Sequence, residues 1–225
     1  MNGQTTEQDI MELIRERHSV RQYLDTPIEE GKRRLLSEKA AMLNEQYGLH
    51  IQICFDEPEC FATGIARYSK FEGCANYIAM IGPKRPELEE TVGYAGEQLV
   101  LYAQSLGLNT CWVALTHGKT KAVAECGEKQ VIVIALGYGK TQGAWRKSKP
   151  ESQLSQVSGV APEWFHRGME AAMLAPTSMN QQKFCFVLTG DAVTLKAGRA
   201  INAKIDAGIV RYHFEAASGH PVEQA

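Results

Sequence analysis

The longest strongly apolar run in this chain, "VIVIAL" from Val131 to Leu136, falls well short of the ~20 residues that a membrane-spanning helix requires. The N-terminus, "MNGQTTEQDIMEL", has neither the apolar segment nor the small-residue cleavage site of a secretory signal. A cytoplasmic protein with no membrane partner is expected. An excess of one charge is missing too: the formal net charge is −2 at pH 7. No basic stripe interleaves with aromatics to track a polymer, so nucleic acid is not an expected partner. Any anion site must be a local cluster of Arg and Lys.

The spacings that mark metal and nucleotide sites are absent as well. Cysteines stand at 54, 60, 74, 111, 126 and 185, with no Cys-x-x-Cys pair, and the histidines are scattered. The expectation is reduced, buried thiols and no metal. Neither GxGxxG nor GxxxxGK[ST] occurs, so a Rossmann or P-loop reading fails.

What remains is 225 residues, 44% of them hydrophobic, enough for one large domain or two small ones. Thr5 with Gln8 resembles a capping box, and Ile10, Leu13 and Ile14 give a helical face that should run to about Arg17. "GKRRLLSEKAAMLNEQYGL" reads as a helix closed by Gly48. "HIQICF", "NYIAMIG", "QVIVIALGYG" and "FCFVLTG" read as strands, and "NTCWVAL" as a short extended segment. "TVGYAGEQLVLYAQSLGL" and "PEWFHRGMEAAMLA" read as helices, the first buried on most sides. The tail after Ala200 has helical character, with Ile209, Tyr212 and Ala216 along one stripe. The class is α+β, a mixed and mainly antiparallel sheet flanked by helices.

The chain also echoes itself. "RHSVR" at Arg17 is followed by "AAML" at Ala40 and the strand "IQICF"; "RKSKP" at Arg146 is followed by "AAML" at Ala171 and "FCFVL". Ala95-Gly96 and Ala207-Gly208 then stand at equal distances before Gly107 and Gly219. Either these are chance matches among common residues or the chain holds two degenerate copies, 1–145 and 146–225, within a single domain.

Three stretches could carry chemistry. In "RHSVRQY", an extended backbone would let Arg17, Ser19 and Arg21 converge, two guanidinium forks and a hydroxyl suited to a phosphate. The competing reading is a helix end whose arginines pair with Glu16 or Asp25. "RKSKP" offers Lys147 and Lys149 beside Ser148, or a solvated basic loop. "LAPTSMNQQKF" places Pro176, Thr177, Ser178, Asn180, Gln181 and Gln182 between a helix and a strand. Such groups suit the edge of a heteroaromatic ring, or a turn that satisfies its own backbone. "TCWVAL" reads as backbone lining a flat ligand or as a core strand.

These motifs resemble those of the FMN-dependent nitroreductase family. "RHSVRQY" is similar to that family's Arg-Arg/His-Ser-x-Arg/Lys-x-Phe/Tyr. "LAPTSMNQQKF" is similar to its Ala-Pro-Ser-x-x-Asn-x-Gln-Pro-Trp-x-Phe loop, "GEQLVLYAQSLGLNTCWVAL" to its central helix and flavin-edge segment, and "LGYGKTQGAWRKSKP" to its closing strand and basic residues. The loop normally follows the Arg-Ser motif closely; here it comes only in the second copy. That resembles a branch in which one chain, as a monomer, folds as a pseudo-dimer.

The resemblance implies bound FMN, an NAD(P)H donor and a small nitroaromatic, quinone or similar acceptor. It implies that Arg17, Ser19, Arg21, Lys147 and Lys149 hold the phosphate and ribityl chain, with His18 alongside through its backbone. Pro176, Thr177, Ser178 and Asn180 would cover the ring, and the backbone of Val113, Ala114 and Leu115 would face its pyrimidine edge. No catalytic acid, base or nucleophile is implied, and a second pseudo-site built from "RKSKP" and "AAMLNEQ" would be vestigial. Gln182 and Lys183 replace the family's Pro-Trp. The alternative is a flavin-binding or storage protein without turnover.

Overall fold

The computed structural model describes residues 7–223; Thr5, half of the expected capping box, lies outside the described residues. The chain divides into two compact units, one of Arg17–Leu88 with Gln98–Trp145, the other of Met1–Glu16, Glu89–Glu97 and Arg146–Ala225.

The first unit is built on a four-stranded antiparallel sheet. Its helix α2 (Glu30–Tyr47) buries Leu36, Ala40 and Leu43, one residue per turn along a single stripe, and stops at Gly48 in the left-handed conformation. Strands β1 (Gln52–Cys54), β2 (Asn76–Pro83), β3 (Asn109–Val113) and β4 (Glu128–Gly137) lie in the order β1-β2-β4-β3. β2 is buried along its whole length except Pro83, which fits its unbroken apolar sequence at the centre of the sheet. Tyr23, Phe61, Phe71 and Tyr77 form the core with the thiols of Cys74 and Cys111.

Residues 17–24 do not end the preceding helix. They run extended against the sheet: Val20 N–H donates to Thr110 C=O at 3.0 Å, Tyr23 N–H to Glu72 C=O at 2.9 Å and Leu24 N–H to Tyr138 C=O at 2.7 Å. A helix has no such long-range backbone partners, so the segment's path is set by the sheet rather than by local propensity.

The second unit holds α1 (Glu7–Glu16), the start of α4 (Leu88–Ser105), and then β5 (Ser155–Ser158), α5 (Glu163–Leu174), β6 (Phe184–Thr189), β7 (Ala192–Ala197) and α6 (Ala203–Ser218). β5 pairs parallel and β7 antiparallel with β6. α4 and α6 cross at two glycines. A Cβ at Gly93 would lie 2.1 Å from Ile205 C=O, and one at Gly208 would lie 2.0 Å from Glu90 C=O. Only glycine permits this approach. Beside the crossing, Glu97 Oε1 meets His213 Nε2 at 2.9 Å with both side chains fully buried, and His213 Nδ1 donates to Ala171 C=O at 3.0 Å. The buried face of α6 is rotated from the expected stripe. Tyr212 and Ala216 are half-buried, while Ile205, Ile209, His213, Val210 and Phe214 are buried.

Element order repeats in part along the chain: α2, β1, β2, α4 and then α5, β6, β7, α6, each a helix, an antiparallel strand pair and a helix, but with the short helix α3 (Gly64–Tyr68) inserted between β1 and β2 in the first series. β3 and β4 extend only the first series. The cysteines depart from a uniform burial: Cys60, Cys74 and Cys111 are buried, Cys54 and Cys185 half-buried and Cys126 exposed, all as free thiols.

Candidate functional site

The extended backbone brings Arg17, Ser19 and Arg21 together. All three act on one buried thiol, Cys111 of β3. Burial pushes that thiol's pKa up, against the pull of Arg21, a hydrogen bond with Ser19 and the charge of Arg17. Arg17 is buried at 5% exposure, Ser19 is half-buried and Arg21 exposed, so the cluster runs from the sheet to the surface. His18 is placed by its ring as well as its backbone: the imidazole meets Trp145 edge-on at 5.3 Å. Gly143 lies against it, where a Cβ would come 2.5 Å from that of His18. Trp145, itself exposed at 73%, carried no sequence signal. Val113 turns its side chain into the core, leaving only its backbone for a ligand; Ala114 is half-buried and Leu115 exposed.

In the other unit, the loop of residues 176–182 follows α5. Met179, Asn180 and Gln182 all have positive φ, at 51°, 53° and 44°, which costs non-glycine residues energy unless their surroundings impose it. Here the surroundings do. Gln182 N–H donates to Thr177 Oγ1 at 3.1 Å. Asn202 Nδ2 donates to Ser178 Oγ at 3.0 Å. Both carboxylate oxygens of Asp206 accept Ser178 N–H, at 3.0 and 3.1 Å, and one also accepts Gln181 Nε2 at 3.1 Å. Most of the polar groups expected to face a ligand therefore hold the loop's own shape. Asn180 differs. Its Nδ2 donates to Lys147 C=O at 2.9 Å, but its buried Oδ1 meets no donor among the described residues.

"RKSKP" is neither a solvated loop nor a second clamp. Lys149 Nζ donates to Gln181 C=O at 2.7 Å and Gln182 C=O at 2.8 Å. Arg146 donates to Leu174 and Ala175 C=O at 3.0 and 2.5 Å, and Ser148 Oγ to Met173 C=O at 3.4 Å. Carbonyls at the end of α5 have no intrahelical donor, and cations there satisfy them and the helix dipole. Lys149, expected on a phosphate, is thus a fastener of the loop; Lys147 is exposed.

A family model described as "Putative TM nitroreductase" matches residues 9–218. The chain belongs to this nitroreductase family. Among solved structures it is similar to a nitroreductase-named protein of Thermotoga maritima, with 22% identity, 92% of this chain and 82% of that one covered, and a TM-score of 0.66. It is also similar to one of Desulfovibrio desulfuricans solved in complex with FMN, with 21% identity, 66% of this chain and 96% of that one covered, and a TM-score of 0.52. Both likenesses establish a nitroreductase fold. No curated protein matches the chain.

Counted from Asn180, the family's Asn-x-Gln-Pro-Trp puts Gln182 on its Gln, and Lys183 and Phe184, rather than Gln182 and Lys183, on its Pro-Trp. Gln182 is buried at 3% exposure. Its Oε1 accepts Lys149 N–H at 2.8 Å, and its Nε2 donates to Ser148 Oγ at 2.8 Å and Met173 C=O at 3.2 Å. A Gln182→Pro substitution would remove these bonds and the N–H given to Thr177. Proline also requires φ near −65°, against 44° here. We expect a loss of roughly 1–3 kcal/mol in unfolding free energy by urea titration; a neutral result would show that the loop repacks at no cost.

Each unit carries groups that suit a part of a flavin mononucleotide. In the first, two guanidinium groups and a hydroxyl suit a phosphate; in the second, Asn180 Oδ1, which meets no donor among the described residues, suits a ring N–H.

Proposed function

We propose that the protein is an FMN-dependent oxidoreductase that takes reducing equivalents from NAD(P)H and passes them to a nitroaromatic, quinone or similar small acceptor. What supports this above all is the extended path of the segment that carries Arg17, Ser19 and Arg21, which turns alternate side chains to one face, in a chain matched almost end to end by a nitroreductase family model. Family membership and the FMN-bound relative add to it.

Bound FMN supplies hydride acceptance and donation; the chain's residues bind it, orient it and exclude water. Arg17, Ser19 and Arg21 are assigned to the phosphate and ribityl chain. The backbone from Val113 to Leu115 is assigned to the pyrimidine edge, and Pro176, Thr177, Ser178 and Asn180 to the ring. Ser178 acts through backbone and shape, since its hydroxyl is engaged by Asn202 and Asp206; Thr177 Oγ1 accepts Gln182 N–H and keeps its O–H to donate. N–H donors and positive charge near the pyrimidine edge would favour the reduced, anionic flavin.

We also read the chain as two copies acting in one polypeptide. The repeated helix–strand–strand–helix order supports this. So does the Desulfovibrio protein, matched over 96% of its length by only 66% of this chain. The test of function is the visible spectrum of the gently purified protein, followed by anaerobic NADPH and then NADH. About one FMN per chain, bleached by either donor, is expected. Flavin that stays oxidised with both would make the protein a flavin binder, and no uptake of added FMN would end the flavin reading.

A further inference from the structure

Resting on the FMN reading, we propose that Asp206 is a positioning residue of the flavin site, fixing the loop of residues 176–182 in its ligand-ready shape. Asp206 sits in the first turn of α6 and is buried at 6% exposure. Its carboxylate takes Ser178 N–H on both oxygens and the Gln181 amide on one. Gln181 Nε2 also donates to Ile201 C=O at 2.8 Å, tying the same loop to the residues that lead into α6. These bonds flank Met179 and Asn180, two of the loop's three positive-φ residues, and so determine where Asn180 Oδ1 points.

The helix crossing supplies a second argument. Gly93 and Gly208 make the same approach, each to the carbonyl three residues before the other, which makes Thr91 of α4 the counterpart of Asp206. The helix that follows the Pro-Thr-Ser loop has the carboxylate; the other has a threonine. The acid occurs where there is a loop to hold. Nor does packing account for it. Burial raises the pKa of the Asp206 carboxyl above the usual carboxylate range, opposed by the Ser178 N–H, the Gln181 amide, the Ser178 hydroxyl and the charge of Arg146. A raised carboxyl contributes stability below its unfolded pKa and loses it as pH rises through the folded value. Once ionised, the group therefore weakens the fold while it orders the loop.

The experiment compares wild type, Asp206→Ala and Asp206→Asn. It measures FMN affinity, the visible circular dichroism of the flavin at saturating FMN, and the melting temperature of the apoprotein. Asparagine keeps an oxygen for Ser178 N–H. We expect FMN affinity to fall about tenfold in the alanine variant and less than about threefold in the asparagine variant. The flavin dichroism should change in the first and be restored in the second. Wild-type affinity and dichroism in Asp206→Ala would overturn the proposal. So would equal weakening in both variants that follows melting temperature while the dichroism stays unchanged. If wild type itself takes up no FMN, the FMN reading fails first and carries this one with it; normal wild-type uptake with unaffected variants sinks the positioning role alone.

Discussion

Replacing His213 by alanine is expected to lower the unfolding free energy by about 3–5 kcal/mol, the usual effect of breaking a buried charged pair from one side. His213 and Glu97 are fully buried and 2.9 Å apart. Because His213 Nδ1 faces the carbonyl of Ala171, that nitrogen must carry a hydrogen. The other nitrogen and the carboxyl then hold one further proton between them, and the pair is neutral overall whichever atom bears it. Alanine removes the imidazole from this arrangement and leaves a cavity beside the α4–α6 crossing. Glu97→Gln should be far milder, about 1 kcal/mol, since a glutamine amide can donate to the free lone pair of the imidazole while Nδ1–H keeps its carbonyl. Urea denaturation of both variants measures this. A His213→Ala protein within 1 kcal/mol of wild type would mean that water or a rearranged side chain satisfies Glu97.

The second large effect concerns the ligand. Removing both guanidinium groups by Arg17→Ala with Arg21→Ala should reduce FMN affinity by about 10²- to 10⁴-fold, from two charge-assisted hydrogen-bonding groups at about 1.5–3 kcal/mol each. Arg17 is buried and its removal can disturb the fold, so Arg21→Ala alone, at an exposed position, is the cleaner variant and should lose about tenfold or more. Arg21→Lys keeps the charge but loses the planar fork, and its loss should be the smaller. Fluorescence titration of FMN into each apoprotein decides it. Undiminished affinity in the double variant would remove the phosphate from this cluster.

What could be read from the sequence was local. The helix closing at Gly48, the central apolar strand around "VIVIAL" and the buried helix after Thr91 announce themselves by periodicity and end signals within a few residues. The extended run that carries Arg17, Ser19 and Arg21 was legible because the three lie within five residues and only an extended backbone was needed to turn them to one face. Long-range roles were not. Lys149 meets loop carbonyls more than thirty residues away, and nothing near "RKSKP" says that its cations will close a helix end. Asp206 reads as an ordinary helical acid. Its one signal was its position inside the apolar run "KIDAGIV", flanked by Ile205 and Ala207. β5 escaped notice because it is short, polar and largely exposed, without the apolar alternation that marks a strand; β7 alternates Val193 and Leu195 with Thr194 and Lys196, but over four residues only and with Val193 alone fully buried. The α6 stripe was misplaced because nearly the whole first half of that helix is buried, so apolar side chains alone could not fix its orientation.

The fastening of the late loop by "RKSKP" also bears on the history of the chain. On the two-copy reading, this cluster descends from the same ancestral motif as "RHSVR", yet its cations now close a helix and grip a strained turn. Returning them to an anion would require releasing that turn, and Gln182, which bonds to the same segment, would have to change with them. Single substitutions toward the ancestral state pass through a less stable protein. On that reading the change acts as a ratchet: once the second copy's clamp became the buckle of its own loop, neither could drift back alone.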